Sequence, residues 1–214
     1  LPGKMQLIEV NSARYHRNRL THSLEVSQIA RSIALTLNNK YSDDNSPLWN
    51  IWELFIIETI CLAHDLGNPP FGHAGERLLN KLLDDEGGFE GNAQTLRIVT
   101  SLEKKFPNIS GLNLTKRTLL GLVKYFEKRT PSNKKFLYDN DYKTISEIKE
   151  KAGITDEQSL DCQIMDIADE IAYAAHDLED ALHLRLINPY DIIFMFKQEA
   201  SNSKELKAFT PYII

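Results

Sequence analysis

The sequence predicts an all-α domain. Apolar residues recur at helical spacing in several separate stretches, no stretch shows convincing strand alternation, and there is no internal repeat or low-complexity tract. With 214 residues the chain is long enough for one domain with a sizeable core, and residues 1–214 read as a single domain. It starts with Leu1 and stops in apolar Tyr-Ile-Ile, so both ends read as cut from a longer protein.

Periodicity places the elements in order. Thr21 to Leu37 carries Leu24, Val26, Ile29, Ala30, Ile33, Ala34 and Leu37 on one face, with His22 in its first turn. Asn38 to Pro47 is polar and reads as a loop. Trp49 to Leu66 is apolar enough to be a buried helix and forms the natural centre of the core. A helix over Gly75–Leu83 follows, then the acidic loop Asp84-Asp85-Glu86, then a helix from Asn92 to about Lys105 that offers Leu96, Ile98, Val99 and Leu102 to the core. Thr115 to Lys128 predicts another amphipathic helix, with Lys124 inside it. Residues 129–145 read as a long exposed loop, Ser146–Ala152 as a short helix, and Leu160 to about Leu184 as the last long helix, which Asn188-Pro189 ends.

Lys plus Arg number 25 against 30 Asp plus Glu, a net charge of −5, which excludes a globally basic nucleic-acid binder. Arg14, His16, Arg17 and Arg19 form a short basic run, read as a solvated face, with the rim of a phosphate site as the alternative. Cys61 and Cys162 sit in apolar helical patterns and read as buried free thiols. No apolar run approaches the length of a membrane span and no signal peptide is evident, so a soluble, cytoplasmic protein is expected.

The chemistry concentrates in Cys61-Leu-Ala-His64-Asp65-Leu-Gly-Asn68-Pro69-Pro70-Phe-Gly-His73-Ala-Gly-Glu76. An adjacent His-Asp pair offers an imidazole nitrogen and a carboxylate oxygen, a mixed set that suits a first-row transition metal better than calcium. Ionisable groups at the end of an apolar helix are costly unless a metal or hydrogen bonds compensate them. Gly67, Pro69, Pro70 and Gly72 force a sharp turn before His73, and His73 and Glu76 then lie three apart near a helix start. The alternative is a buried hydrogen-bonded His64-Asp65 pair with His73 as a cap. A metal site built from this chain would use His22, His64, Asp65 and one of Asp166, Asp169, Asp177 or Asp180; apolar Ile164, Ile167, Ala168, Ile171 and Ala175 put Asp169 toward the buried side of its helix.

Four blocks carry a resemblance: Arg19-Leu-Thr-His22-Ser-Leu-Glu-Val, His64-Asp65-Leu-Gly-Asn-Pro-Pro-Phe-Gly-His73-Ala-Gly-Glu76, Gly88-Phe-Glu-Gly-Asn92-Ala-Gln-Thr-Leu-Arg97, and Ala168-Asp169-Glu-Ile-Ala-Tyr173-Ala-Ala-His-Asp177-Leu-Glu-Asp. In this order they resemble the HD-domain phosphohydrolases, and within them the deoxynucleoside triphosphate triphosphohydrolases of the dGTPase branch. The resemblance implies an HD-domain helical bundle with a metal site in its core, without the usual N-terminal arm and C-terminal helical part. It points to Asp169 as the fourth ligand. Many such proteins carry a His or Lys where this chain has Asn68, and an amide is a poor transition-metal ligand, so one divalent ion is expected: Mn²⁺ or Mg²⁺ first, with Ni²⁺, Co²⁺, Fe²⁺ or Zn²⁺ as alternatives.

What the resemblance implies for function is hydrolysis of dGTP or another dNTP to deoxynucleoside and tripolyphosphate. His73 is the candidate for proton transfer, with Glu76 orienting or activating it. Lys124 and Lys135 occupy places resembling phosphate-binding lysines, Asn92 supports the site, and Tyr173 and Asp177 are implied contacts to sugar or phosphates. Homo-oligomers, often hexamers, and association with single-stranded DNA are implied as well. The alternatives are a phosphohydrolase of monophosphates or cyclic nucleotides, and a non-catalytic nucleotide or single-stranded DNA-binding module.

Overall fold

Two asparagine-capped helices stand at the centre of the fold. In helix α1 (Arg19–Tyr41), Asn18 Oδ1 accepts the Leu20 and Thr21 N–H groups at 3.0 Å each, and Thr21 Oγ1 accepts the Asn18 N–H in return. In α2 (Ile51–Ala63), Asn50 and Glu53 form the same reciprocal box. The Asn18 cap explains why α1 starts two residues before the expected Thr21; at its other end α1 runs past Leu37 to Tyr41, where the Ser42 N–H donates to the Asn38 carbonyl. The computed structural model describes residues 18–42, 47–130, 133–155 and 158–202; Arg14, His16 and Arg17 lie outside the described residues.

The chain divides into two units, Leu1–Glu170 and Ile171–Ile214. The described residues form eight α-helices and no strand, as the sequence predicts. In the first unit α1 and α2 pack closely, because Val26, Ala30 and Ala34 of α1 and Ile57, Ile60 and Cys61 of α2 are wholly buried. Small residues every fourth position let the two backbones approach. Leu24 is 48 % exposed and stands off this face. After α2 come α3 (Gly72–Leu82), a 3₁₀ turn over Asp84–Glu86, α4 (Gly91–Arg97) with a π-helical turn over Ile98–Leu102, α5 (Lys116–Gly121), α6 (Asp139–Ala152), α7 (Leu160–His183) and α8 (Pro189–Asn202).

Three expected elements differ, each for a local reason. The helix expected over Thr115–Lys128 is only α5, and Lys124 lies beyond it. Gly121 sits so close to Ile60 that a Cβ there would be 2.1 Å from Ile60 Cδ1, so α5 ends where it meets α2. The loop expected over 129–145 gives way to α6 from Asp139 onward: Asp139 and Asp141 suit a helix N-terminus, and Ile145 and Ile148 bury. The helix expected from Asn92 to Lys105 breaks into α4 and the π turn, which leaves Leu102 54 % exposed. On α7, Ile164 and Ala168 are buried as expected, whereas Ile167 and Ile171 are half exposed.

Both thiols are free and buried; burial pushes the Cys162 thiol up to about 12 and also raises Cys61. Trp49 Nε1 donates to Asp161 Oδ1 at 2.8 Å and Arg117 Nε to Asp161 Oδ2 at 2.6 Å, which ties the chain before α2 and the start of α5 to the first turn of α7. In the second unit, Asn188 caps α8 by accepting the Tyr190 and Asp191 N–H groups. Pro189 is its first residue, where a missing N–H costs nothing.

The turn that ends α2 rests on α4. Thr95, 1 % exposed, donates its hydroxyl to the His64 carbonyl at 2.9 Å and accepts the Gly67 N–H at 2.9 Å. A Cβ on Gly67 would lie 2.2 Å from the Gly91 oxygen and 2.2 Å from the Thr95 nitrogen, both backbone atoms. Gly67→Ala must therefore push α4 away. Overpacking of this kind costs about 1–3 kcal/mol, a Tm lowered by roughly 2–12 °C at 2–4 °C per kcal/mol for a chain of this size. An unchanged melting curve would mean that this contact does not exist.

Candidate metal centre and active site

Four side chains of the first unit converge where α2 ends. His22 stands one turn into α1 and is 1 % exposed; His64 and Asp65 follow α2 and are 9 % and 7 % exposed. Asp169 is on α7. His22 Nε2 donates to Asp169 Oδ1 at 3.0 Å. His64 Nδ1 donates to the Cys61 carbonyl at 2.6 Å, so its proton is committed there and Nε2 presents a lone pair. That Nε2 makes no hydrogen bond, although Asp65 Oδ1 and Asp169 Oδ1 both lie 3.5 Å away. His22, His64 and Asp65 each offer one ligand atom within 4.8 Å of the others, and this is the group of the described residues that could hold a metal ion. Asp166, the nearest alternative on α7, instead pairs with Lys124.

A lone pair facing two carboxylates with little exposure to water is unfavourable unless a proton or a cation sits between them. Burial alone would lower the His64 pKa, but the neighbouring carboxylates of Asp169 and Asp65, both 3.5 Å from Nε2, outweigh it and hold the imidazole above its ordinary value. Burial works the other way on Asp169; the imidazoles of His22, hydrogen-bonded to it, and of His64, 3.5 Å away, overcome it and hold the carboxyl well below the usual carboxylate range. A ring nitrogen donated to a backbone carbonyl, with the other ring nitrogen aimed at carboxylates, is the arrangement by which proteins present histidine to a metal. Only Arg19, 8 % exposed and paired with Asp65 Oδ2, supplies positive charge directly to this cluster among the hydrogen bonds described.

Asn68 extends the cluster toward α3 and α4. Its Nδ2 donates to Asp65 Oδ1, and its Oδ1 would lie 3.0 Å from a Cβ on Gly91. Beside Gly91, Glu76 Oε1 accepts the Gly91 N–H at 3.1 Å, and Glu76 Oε2 faces His73 Nδ1 at 3.3 Å. α3 begins at Gly72, three residues earlier than expected, because Phe71 and Gly72 both take the left-handed conformation. Gly75 allows this turn to close, since a Cβ there would be 1.9 Å from the Pro70 oxygen. The His73 side chain is 88 % exposed and that of Glu76 17 % exposed. Burial opposes ionisation of Glu76, but the Gly91 N–H and the Lys135 charge prevail and lower its pKa.

The other residues singled out in the sequence fall in different surroundings. Asn92 Nδ2 donates to Glu90 Oε1 at 2.8 Å. Lys135 Nζ is shared between Glu90 Oε1 at 2.7 Å and Glu76 Oε1 at 3.3 Å. Lys124 pairs with Asp166; burial lowers its pKa, and Asp166 together with the charge of Asp169 raises it further than burial lowers it. Tyr173 and Asp177 belong to the second unit and are exposed along α7.

Residues 19–174 match the family model of the HD domain. The chain belongs to the HD domain family. It is 51 % identical over 196 residues to deoxyguanosinetriphosphate triphosphohydrolase-like protein 2 of Vibrio cholerae serotype O1, a match that covers 92 % of this chain and 46 % of the relative. It is 40 % identical to a deoxyguanosinetriphosphate triphosphohydrolase-like protein of Shewanella halifaxensis, over 88 % of this chain and 50 % of the relative. To the corresponding protein 2 of Deinococcus radiodurans it is also 40 % identical, over 88 % of this chain and 51 % of the relative. This HD domain chain thus spans about half the length of the curated relatives it matches. No helix among the described residues is long and apolar enough to cross a membrane.

Sequence reasoning on this HD domain missed the part played by Arg19, Thr95 and Glu90. Arg19 and Glu90 stand inside the quoted blocks, yet nothing in their spacing tells that one reaches Asp65 and the other Lys135. If the His-Asp group holds a cation, excess Mn²⁺ should raise the Tm of the metal-free protein. At 100 times the Kd the gain is about 2.7 kcal/mol, or roughly 5–11 °C at 2–4 °C per kcal/mol. The shift should vanish in His64→Ala and persist in Asp166→Ala. A full shift in His64→Ala would remove His64 from the ligand set.

Proposed function

We propose that this chain is the metal-dependent phosphohydrolase part of a dNTP triphosphohydrolase, which converts dGTP or another dNTP to deoxynucleoside and tripolyphosphate. One observation carries the reading: a buried His64 whose Nδ1 proton is committed to a backbone carbonyl and whose bare Nε2 faces Asp65 and Asp169. In this reading His22, His64, Asp65 and Asp169 hold one divalent ion, Mn²⁺ or Mg²⁺ before the other transition metals. An ion held there supplies a Lewis acid for a phosphoryl oxygen and a more acidic water. The names of the relatives support a deoxynucleotide substrate and the release of an intact triphosphate.

The chain's own residues divide the remaining work. Arg19, beside Asp65, and Lys124, beside Asp166 and Asp169, bring positive charge to a polyphosphate. His73 passes a proton between water or the leaving 5′-oxygen and solvent, and its exposure suits a group that must exchange that proton each turnover. Glu76, held by the Gly91 N–H, fixes the Nδ1 side of that imidazole. Asn92, Tyr173 and Asp177 are the further substrate contacts, on the resemblance of their blocks. Lys135, shared between Glu90 and Glu76, is the weaker of the two lysines for direct phosphate contact.

The test is chromatography of products from each dNTP with Mn²⁺ or Mg²⁺, beside a His64→Ala control. Deoxynucleoside and tripolyphosphate in equal amounts, absent from the control, are the expected result; orthophosphate or a nucleoside monophosphate as the first product contradicts it. His73→Ala should keep the Mn²⁺-induced Tm shift while kcat falls by about 10²–10⁴-fold, the usual scale of general acid–base catalysis. An undiminished kcat in that variant would strip His73 of the proton-transfer role.

A further inference from the structure

Glu90 has no exposed surface, and a buried carboxylate costs free energy unless it is well paired. Capping α4 does not require it, because Ser, Thr, Asp or Asn caps a helix with a shorter side chain. What the longer side chain adds is a second reach. Oε2 accepts the Ala93 N–H at 2.7 Å and closes the cap. Oε1 is left to take Asn92 Nδ2 at 2.8 Å and Lys135 Nζ at 2.7 Å. Lys135 goes on to Glu76 Oε1 at 3.3 Å, and Glu76 faces His73 through its other oxygen. A row of four ionisable groups thus runs from a wholly buried carboxylate to an imidazole 88 % exposed.

We propose that Glu90 is a positioning residue for proton transfer at His73, acting through Lys135 and Glu76. The inference rests on the reading of His73 and Glu76 as the acid–base pair. Its physical basis is the unequal sharing of Lys135. The ammonium sits 0.6 Å nearer to Glu90 than to Glu76, the difference between 2.7 and 3.3 Å, so its charge is spent mainly on Glu90 while Glu76 keeps enough negative charge to orient the imidazole. A lysine carries a flexible stem and a compact charge. Released from Glu90, Lys135 closes on Glu76 and draws the carboxylate away from His73. Tyr125, whose ring lies 5.5 Å from Nζ, does not replace the missing anion.

The experiment uses the full chain with Mn²⁺ and the dNTP that the wild type turns over fastest. Glu90→Gln keeps the size and one acceptor of the cap; its kcat should fall about 10–100-fold, the scale of a misplaced catalytic group, with KM changed by no more than about twofold and the Mn²⁺-induced Tm shift intact. The Glu76→Gln/Glu90→Gln double variant should be no slower than Glu76→Gln alone, because both changes break one chain of contacts. Multiplying losses in the double variant, or a loss confined to KM, overturns the proposal. Should Glu90→Gln fail to melt cooperatively, Lys135→Met breaks the same link at a side chain 37 % exposed, and the same cycle with Glu76→Gln decides.

A second readout needs no turnover. The ¹³C titration of the Glu76 carboxyl in Mg²⁺-loaded protein reports on the groups facing it: His73 from α3, the Gly91 N–H of α4, and Lys135 from the segment before α6. Its midpoint should move in Glu90→Gln and not in a variant of the remote Lys81. An unmoved midpoint sinks the proposal. A wild type that hydrolyses no dNTP, yet shows the moved midpoint, sinks the substrate reading and keeps the link from Glu90 to Glu76.

Discussion

Two carboxylates, the buried Asp65 after the most apolar helix and the largely buried Asp169 of α7, set the terms for the rest of this molecule. Asp65 and Asp169 each lie 3.5 Å from the same imidazole nitrogen, in a place that exposes little of either to water. The chain answers with what it has: one buried arginine on Asp65, one imidazole hydrogen bond on Asp169, and an amide from Asn68. Holding the cluster together also demands close backbone approach at Gly67 and a threonine hydroxyl that serves both sides of the turn. Two carboxylates and two imidazoles around one point make a mixed oxygen and nitrogen donor set that suits a divalent transition metal. The fold and the proposed chemistry therefore meet in a single electrostatic requirement.

Cations elsewhere near the cluster are each matched to an acid. Lys124 stands on Asp166, and Lys135 between Glu90 and Glu76. Such matching raises the pKa of both lysines and holds their charges in place. Arg19 and Lys124 lie beside the His-Asp cluster and Asp166, whereas Lys135 belongs to the chain of contacts that ends at His73.

Much of this was legible in the sequence where the signal was local. α1, α2 and α7 show their apolar periodicity plainly, and the His64-Asp65 pair at the end of an apolar run announced a compensated charge. α6 was not legible beyond its last two turns, because Asp139-Asn-Asp-Tyr-Lys-Thr hides the helical spacing of Ile145 and Ile148 under polar residues. The truncation of α5 depends on Gly121 meeting Ile60, two residues from different helices whose contact no window of sequence contains. The same holds for the supporting polar residues: Arg19 reaches across 46 positions to Asp65, Thr95 across 28 to Gly67, and Lys135 across 45 to Glu90. Residue type told which groups could do chemistry, and only packing told which groups hold them.

The most direct test of the account is an anomalous difference map at the manganese absorption edge, from crystals of the protein grown with saturating Mn²⁺. The account predicts one strong peak in the first unit, bounded by the imidazoles of His22 and His64 and the carboxylates of Asp65 and Asp169. A peak that leaves Asp169 aside in favour of Asp166, or no peak between the two histidines, would contradict it.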